Sequence, residues 1–152
     1  MYIFLDIDGV LVKEDLPGAE INLHEELMKF DEDCLNTFER VIRRYENSKI
    51  VISSSWIEIF AIEAIKTLFS NEVAEKIMGA TPRLNQPLKY FRYHEVLDYL
   101  KQNEAEPWVA IDDIAEHFPP EAPVIVTNPY IGFDKNAADK LEYFLVNGEL
   151  AE

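Results

Sequence analysis

Residues 2–7, Tyr-Ile-Phe-Leu-Asp-Ile, form a nearly continuous apolar run. That is the pattern of a strand buried on both faces, as in a parallel sheet. Residues 49–52, 107–111 and 124–126 repeat it in shorter form. Between these runs the period changes to that of a helix. Leu35, Phe38, Val41, Ile42 and Tyr45 share one face of a helix predicted over 34–46. Ile57, Phe60, Ala61, Ala64, Ile65 and Leu68 do the same over 57–69, and 71–78 predicts a further short helix. Val96, Leu97 and Leu100 point inward from a helix over 91–102, and 134–146 is the last one, with Gly132-Phe133-Asp134 opening and capping it. Gly79, Pro82 and Pro87 mark a loop over 79–87, and Pro119, Pro120 and Pro123 mark another.

Residues 12–33 break the pattern, with eight acidic and two basic residues and a Pro17-Gly18 turn signal. They read as an acidic flap with one helical turn around 23–28. Elsewhere strand and helix alternate, which predicts one α/β domain over 1–152, with a mostly parallel sheet and helices on both faces. No internal repeat interrupts it. In such folds ligands bind beyond the carboxyl ends of the strands, where the strand order reverses. Three strands here end in polar residues: Asp6 and Asp8, the run Ser53-Ser54-Ser55, and Asp112 with Asp113.

Charge narrows the partners. Twenty-nine Asp and Glu against 14 Lys and Arg give a formal net charge of −15. A broad nucleic-acid surface needs a basic footprint, so a nucleic acid would be held at one local site, by its end. Cys34 is the single cysteine, which excludes an intrachain disulfide. No apolar run approaches the ~20 residues that span a bilayer, and the N-terminus shows no basic leader pattern. The expectation is a cytoplasmic protein without a membrane partner.

Asp6-Ile7-Asp8-Gly9 places two carboxylates where a buried strand ends. Asp112-Asp113 places two more after Trp108-Val-Ala-Ile111. Each pair alone reads equally as a turn or helix cap. If the two strands are neighbours, however, the carboxylates crowd together and resist ionisation. A hard divalent cation such as Mg²⁺ relieves that crowding with few carboxylates, retained waters and a phosphate oxygen.

The run Phe4-Leu-Asp6-Ile-Asp8-Gly9-Val10-Leu11 resembles the first motif of the haloacid dehalogenase (HAD) superfamily. Val51-Ile52-Ser53 resembles its second motif and Val109-Ala-Ile111-Asp112-Asp113 its fourth, in the same order. Ser53-Ser-Ser-Trp56 and the 108–113 segment resemble a small group of HAD domains, some attached to RNA-repair proteins. The resemblance implies a three-layer Rossmann-like fold without a full cap domain, since 12–33 is too short for one and 57–88 reads as mostly one ordinary helix and a loop. It implies Asp6 as a nucleophile that becomes an aspartyl phosphate, and Asp8 as acid and then base, with its backbone carbonyl on the metal. Asp6, Asp112 and Asp113 would hold Mg²⁺. Ser53, or Ser54 as alternate, would hydrogen-bond the phosphoryl group. The third motif supplies a Lys or Arg, for which Arg92 at a helix start is favoured, Lys89 is the runner-up and Arg83 is less favoured.

Within that resemblance, an Asp at position 8 implies a phosphatase or phosphotransferase rather than a dehalogenase or ATPase, and the expectation is a Mg²⁺-dependent phosphatase. An open site implies a phosphate on a large molecule, such as a nucleic-acid end or a phosphoprotein, unless an oligomer covers it for a small ester. The alternatives are a silent phosphate- or metal-binding module and an interaction domain using the acidic face. His24, His94 and His117 lack zinc-ligand spacing and read as surface or helix residues. Trp56 and Trp108 read as core, Glu116 as a solvated helix face, and Cys34 as a small, partly buried residue.

Overall fold

The computed structural model describes residues 1–14, 29–84, 88–103 and 106–152. The helical turn expected at 23–28, and most of the acidic flap, lie outside the described residues. In chain order the elements are β1 (Tyr2–Leu5), α1 (Glu32–Arg44), β2 (Lys49–Ile52), α2 (Ile62–Lys66), α3 (Asn71–Ala74), β3 (Ile77–Ala80), α4 (Phe91–Lys101), β4 (Trp108–Asp112), β5 (Val124–Val126) and α5 (Lys135–Asn147). Short 3₁₀ turns follow β2 at Ser55–Glu58 and β4 at Ala115–His117.

The strands form one sheet in the order β3-β2-β1-β4-β5, and every pairing is parallel. Alternation along β1 builds the layers. Ile3 and Leu5 face one side, with Phe38 and Ile42 of α1 and Leu141 and Phe144 of α5. Tyr2 and Phe4 face the other, with Val96 of α4 and Phe118. The result is a three-layer α/β domain, with no cap domain among the described residues.

Helix ends follow their residues. The Asp31 side chain accepts the Cys34 N–H (2.9 Å) at the start of α1, where Glu32 and Asp33 also complement the helix dipole. Asp134 caps α5 through the Ala137 N–H (2.9 Å), and Gly148 ends it with φ +77°.

Two expected elements differ. The short helix predicted over 71–78 stops at Ala74, and the chain expected to loop from Gly79 is strand β3. Its four residues are too few to show a period, and its conformation comes from pairing with β2, where Ile77 lies opposite Ile50. The helix predicted over 57–69 is interrupted, because Ala61 is extended (ψ 146°) and separates the 3₁₀ turn from α2. Apolar spacing reports which face is buried but not a break in the backbone between two turns.

The chain leaving β1 turns sharply. The N–H groups of Val10, Leu11 and Val12 all reach the Ile7 carbonyl, at 3.1, 2.9 and 3.1 Å. Gly9 has φ +77°, and a Cβ there would collide with the Asp113 carboxyl group. Only glycine meets both conditions at low cost. Three bonds of 2.7 Å tie this turn to the fold: Thr127 Oγ1 donates to the Gly9 carbonyl, Phe133 N–H to Val10, and Asp31 N–H to Leu11. Thr127→Val leaves the Gly9 carbonyl without its hydroxyl partner. It is expected to cost about 1–3 kcal/mol, read as a fall in the thermal midpoint of roughly 3–10 °C. An unchanged midpoint would refute the clamp.

Candidate active site

The register of the sheet places the polar residues. Leu5 lies opposite Ile52 on one side and Ile111 on the other, and Ile52 lies opposite Ala80. The next residue on each strand is therefore in line with its neighbours: Thr81, Ser53, Asp6 and Asp112 form one row across the carboxyl end of the sheet. Backbone bonds hold the row, from Thr81 N–H to Ile52 (2.9 Å), Ser53 N–H to Leu5 (2.8 Å) and Asp6 N–H to Ile111 (3.0 Å). The crossover from β3 to β4 passes to the far side of β1, so Asp6 and Asp112 flank the switch point of the sheet.

Asp6, Asp112 and Asp113 each bring a carboxylate oxygen within 4.8 Å of the others. Asp6 Oδ1 accepts the Ile7 N–H (2.8 Å), and Asp112 Oδ1 accepts the Ile114 N–H (2.8 Å). Burial, then repulsion from Asp112, holds the Asp6 carboxyl well above the ordinary carboxylate range; the Ile7 N–H and the Arg92 charge pull it the other way. Burial and the charge of Asp112 also raise Asp113. These residues fit a divalent cation, because three crowded carboxylates ionise together only when a positive charge joins them.

The Asp8 side chain stands apart from this trio. It is exposed, and its Oδ1 accepts the indole N–H of Trp56 at 3.0 Å. Trp56 is buried as expected of a core residue, yet its polar edge serves the site. Its own backbone N–H is capped by Ser54 Oγ at 3.2 Å, so Ser54 positions Trp56. Ser53 Oγ is 2 % exposed at the residue level and has no hydrogen-bond partner among the described residues. His117, expected on the surface, instead places Nδ1 at 3.3 Å from Asp112 Oδ2, with its ring against Phe91. Sequence spacing missed Trp56 because its partner Asp8 lies on another loop, and missed His117 because the 3₁₀ turn that folds it back onto Asp112 has no periodic signature.

The candidate cations separate. Arg92 is buried in the first turn of α4, close enough for its charge to act on Asp6, and donates from Nη1 to Glu95 at 2.9 Å. Tyr90, in a left-handed conformation (φ 57°), turns the chain into that helix. Arg83 Nη1 donates to both oxygens of the same Glu95, at 3.1 and 3.3 Å. Lys89 is exposed, and its Nζ lies 4.9 Å from the centroid of the Tyr90 ring. It lines a groove of about 630 Å³ with Tyr90, Glu116, Phe118 and Val126, beside the trio rather than in it.

The raised carboxyl groups make stability depend on pH. A folded carboxyl that holds its proton more tightly than the unfolded chain stabilises at low pH, and that contribution fades as pH rises from the ordinary carboxylate range through the raised folded values. Without a divalent cation, the thermal midpoint is expected to fall over that window. Mg²⁺ at about 100 times its dissociation constant adds roughly 2.7 kcal/mol, or about 5–10 °C, at neutral pH and less near pH 5. Asp112→Asn is expected to lose most of the gain. A midpoint indifferent to Mg²⁺ at neutral pH would exclude the metal site.

No curated protein and no solved structure matches the chain. A family model does, over residues 2–138: the HAD domain in Swiss Army Knife RNA repair proteins. The match spans β1 through the first turn of α5 and so includes every strand and all of the row from Thr81 to Asp112. The chain belongs to this family of HAD domains, within a superfamily of hydrolase and phosphatase type.

Proposed function

We propose that the protein is a Mg²⁺-dependent phosphomonoesterase that works through an aspartyl phosphate on Asp6. The observation that supports this best is the trio of buried Asp6 and Asp112 with half-buried Asp113 at the switch point, beside a serine hydroxyl that has no partner among the described residues and within reach of the Arg92 charge. Asp112, Asp113 and Asp6 would hold the cation, which neutralises their repulsion and the charge of the phosphoryl group.

The first step forms a bond from an Asp6 carboxylate oxygen to phosphorus and breaks the bond from phosphorus to the leaving oxygen. The Ile7 N–H orients the Asp6 carboxylate for this attack. Asp8 gives its proton to the leaving oxygen. In the second step water attacks phosphorus, Asp8 takes a proton from it, and the Asp6–phosphorus bond breaks to release inorganic phosphate. Ser53 Oγ donates to a phosphoryl oxygen, which satisfies a group that has no partner among the described residues. Arg92 balances the charge that remains.

Asp6→Asn is expected to lower kcat on an aryl phosphate by on the order of a thousandfold or more, with EDTA acting equally on the parent. Parent and variant that are equally inactive on aryl phosphate, nucleotides, phosphorylated oligonucleotide ends and phosphopeptides, while both stay folded, would reverse the reading in favour of a silent binding module. The indole bond gives a finer test. Trp56→Phe keeps the buried ring and removes only the N–H held against Asp8. It is expected to lower kcat about tenfold, a part of the 10²–10⁴-fold worth of a placed acid–base group, and to leave KM nearly unchanged. A parent-like kcat with an unshifted pH profile would show that Asp8 needs no such anchor.

A further inference from the structure

The row of polar residues continues one strand past the residues the proposed reaction uses. Thr81, at the end of β3, is 1 % exposed, and its hydroxyl has no hydrogen-bond partner among the described residues. Two residues on, Arg83 Nε and Nη2 are likewise buried and unpaired. These two nitrogens form the side-on fork of the guanidinium group, which matches two oxygens of a phosphate or carboxylate. The third nitrogen is already committed, since Nη1 is fixed on Glu95. Glu95 holds Arg83 and Arg92 together and also accepts the Leu84 N–H at 3.3 Å. Two guanidinium groups thus share one buried carboxylate.

Leaving buried charged donors unpaired is costly, and an incoming oxyanion removes the cost. It is not the same oxyanion that Asp6 attacks. Neighbouring strands lie about 4.8 Å apart, so Thr81, two strands from Asp6, is about 10 Å away, beyond a single phosphoryl group attached there. The Arg83 side chain remains 18 % exposed.

Resting on the phosphatase reading, we propose that Thr81 and Arg83 form a second oxyanion subsite, and that the substrate is a phosphomonoester with a further phosphate close by. A nucleoside bisphosphate and the 5′-end of a polynucleotide share this chemistry. The fork and the threonine hydroxyl take the second phosphate, while Ser53 and Arg92 serve the first.

Binding tests this independently of turnover. Calorimetry on the Asp6→Asn protein with Mg²⁺ would compare a nucleoside 5′-monophosphate, the 3′,5′-bisphosphate and a 5′-phosphorylated dinucleotide. The expected result is at least tenfold tighter binding of one or both two-phosphate probes, and which of them gains identifies the source of the second phosphate. Adding Arg83→Gln or Thr81→Val should erase the gain, and Thr81→Val should leave the monophosphate affinity unchanged. Thr81→Val also guards against misfolding as an explanation, since it removes an unpaired buried hydroxyl at nearly constant volume and should leave the thermal midpoint equal or higher. Equal affinity for all three probes, or a gain that survives both substitutions, would overturn the subsite. If the wild-type protein hydrolyses none of the probes while the gain is present and sensitive to both substitutions, the phosphatase reading fails and the subsite stands.

Discussion

Electrostatic crowding at one end of the sheet governs the rest of the structure. Parallel pairing of β1 with β4 puts Leu5 opposite Ile111, and from that register alone Asp6 and Asp112 become neighbours. Asp113 then closes on them from the following turn, and Gly9 has to lack a side chain because the Asp113 carboxyl occupies the space a Cβ would take. The tight turn on the Ile7 carbonyl, the Thr127 hydroxyl on Gly9 and the bond from Phe133 N–H to Val10 all hold this turn in place. A large part of the backbone beyond the strands is thus organised to keep like charges close, an arrangement that is unfavourable in itself and that a bound cation would offset.

The same edge is polar in a graded way. Asp6 and Asp112 have backbone N–H partners, Asp8 has the Trp56 indole, and Ser53, Thr81, Arg83 and Arg92 have buried groups with no partner among the described residues. The partnered groups are those that must be oriented before anything binds. The unpartnered ones are hydrogen-bond donors facing no acceptor, which is the complement of an oxyanion. Protein cores ordinarily avoid such groups, and in the proposed reading a bound oxyanion gives them their acceptors.

Much of this was legible in the residues. The apolar run of β1 ending at Asp6 and that of β4 ending at Asp112 each announce a buried strand with a carboxylate at its tip, and the chain order of the strands announces a parallel sheet. What could not be read is sideways information. β3 has only Ile77-Met-Gly-Ala80, too short and too mixed for a period, so the row appeared to end at Ser53. His117 and Trp56 reach the site through 3₁₀ turns, and the pairing of Arg83 with Arg92 depends on Glu95, whose buried face is set by the packing of α4 and not by its spacing from either arginine. Side-chain partners across elements are fixed by the register and the layers, which no single stretch of sequence contains.

The overall charge then restricts how a polyanion could approach. At −15, most of the surface repels phosphate, but at physiological ionic strength that repulsion decays over about 8 Å. A long nucleic acid laid across the surface would meet it along the whole contact. A chain end would meet it only at the mouth of the site, where Arg83 and Arg92 supply opposite charge at short range. Family membership points to RNA-repair proteins, and the acidic balance, which first counts against a nucleic-acid partner, is compatible with one that enters end-on. In the proposed reading the acidic surface therefore acts as a filter, admitting a terminal phosphate with its neighbour and rejecting the body of the strand.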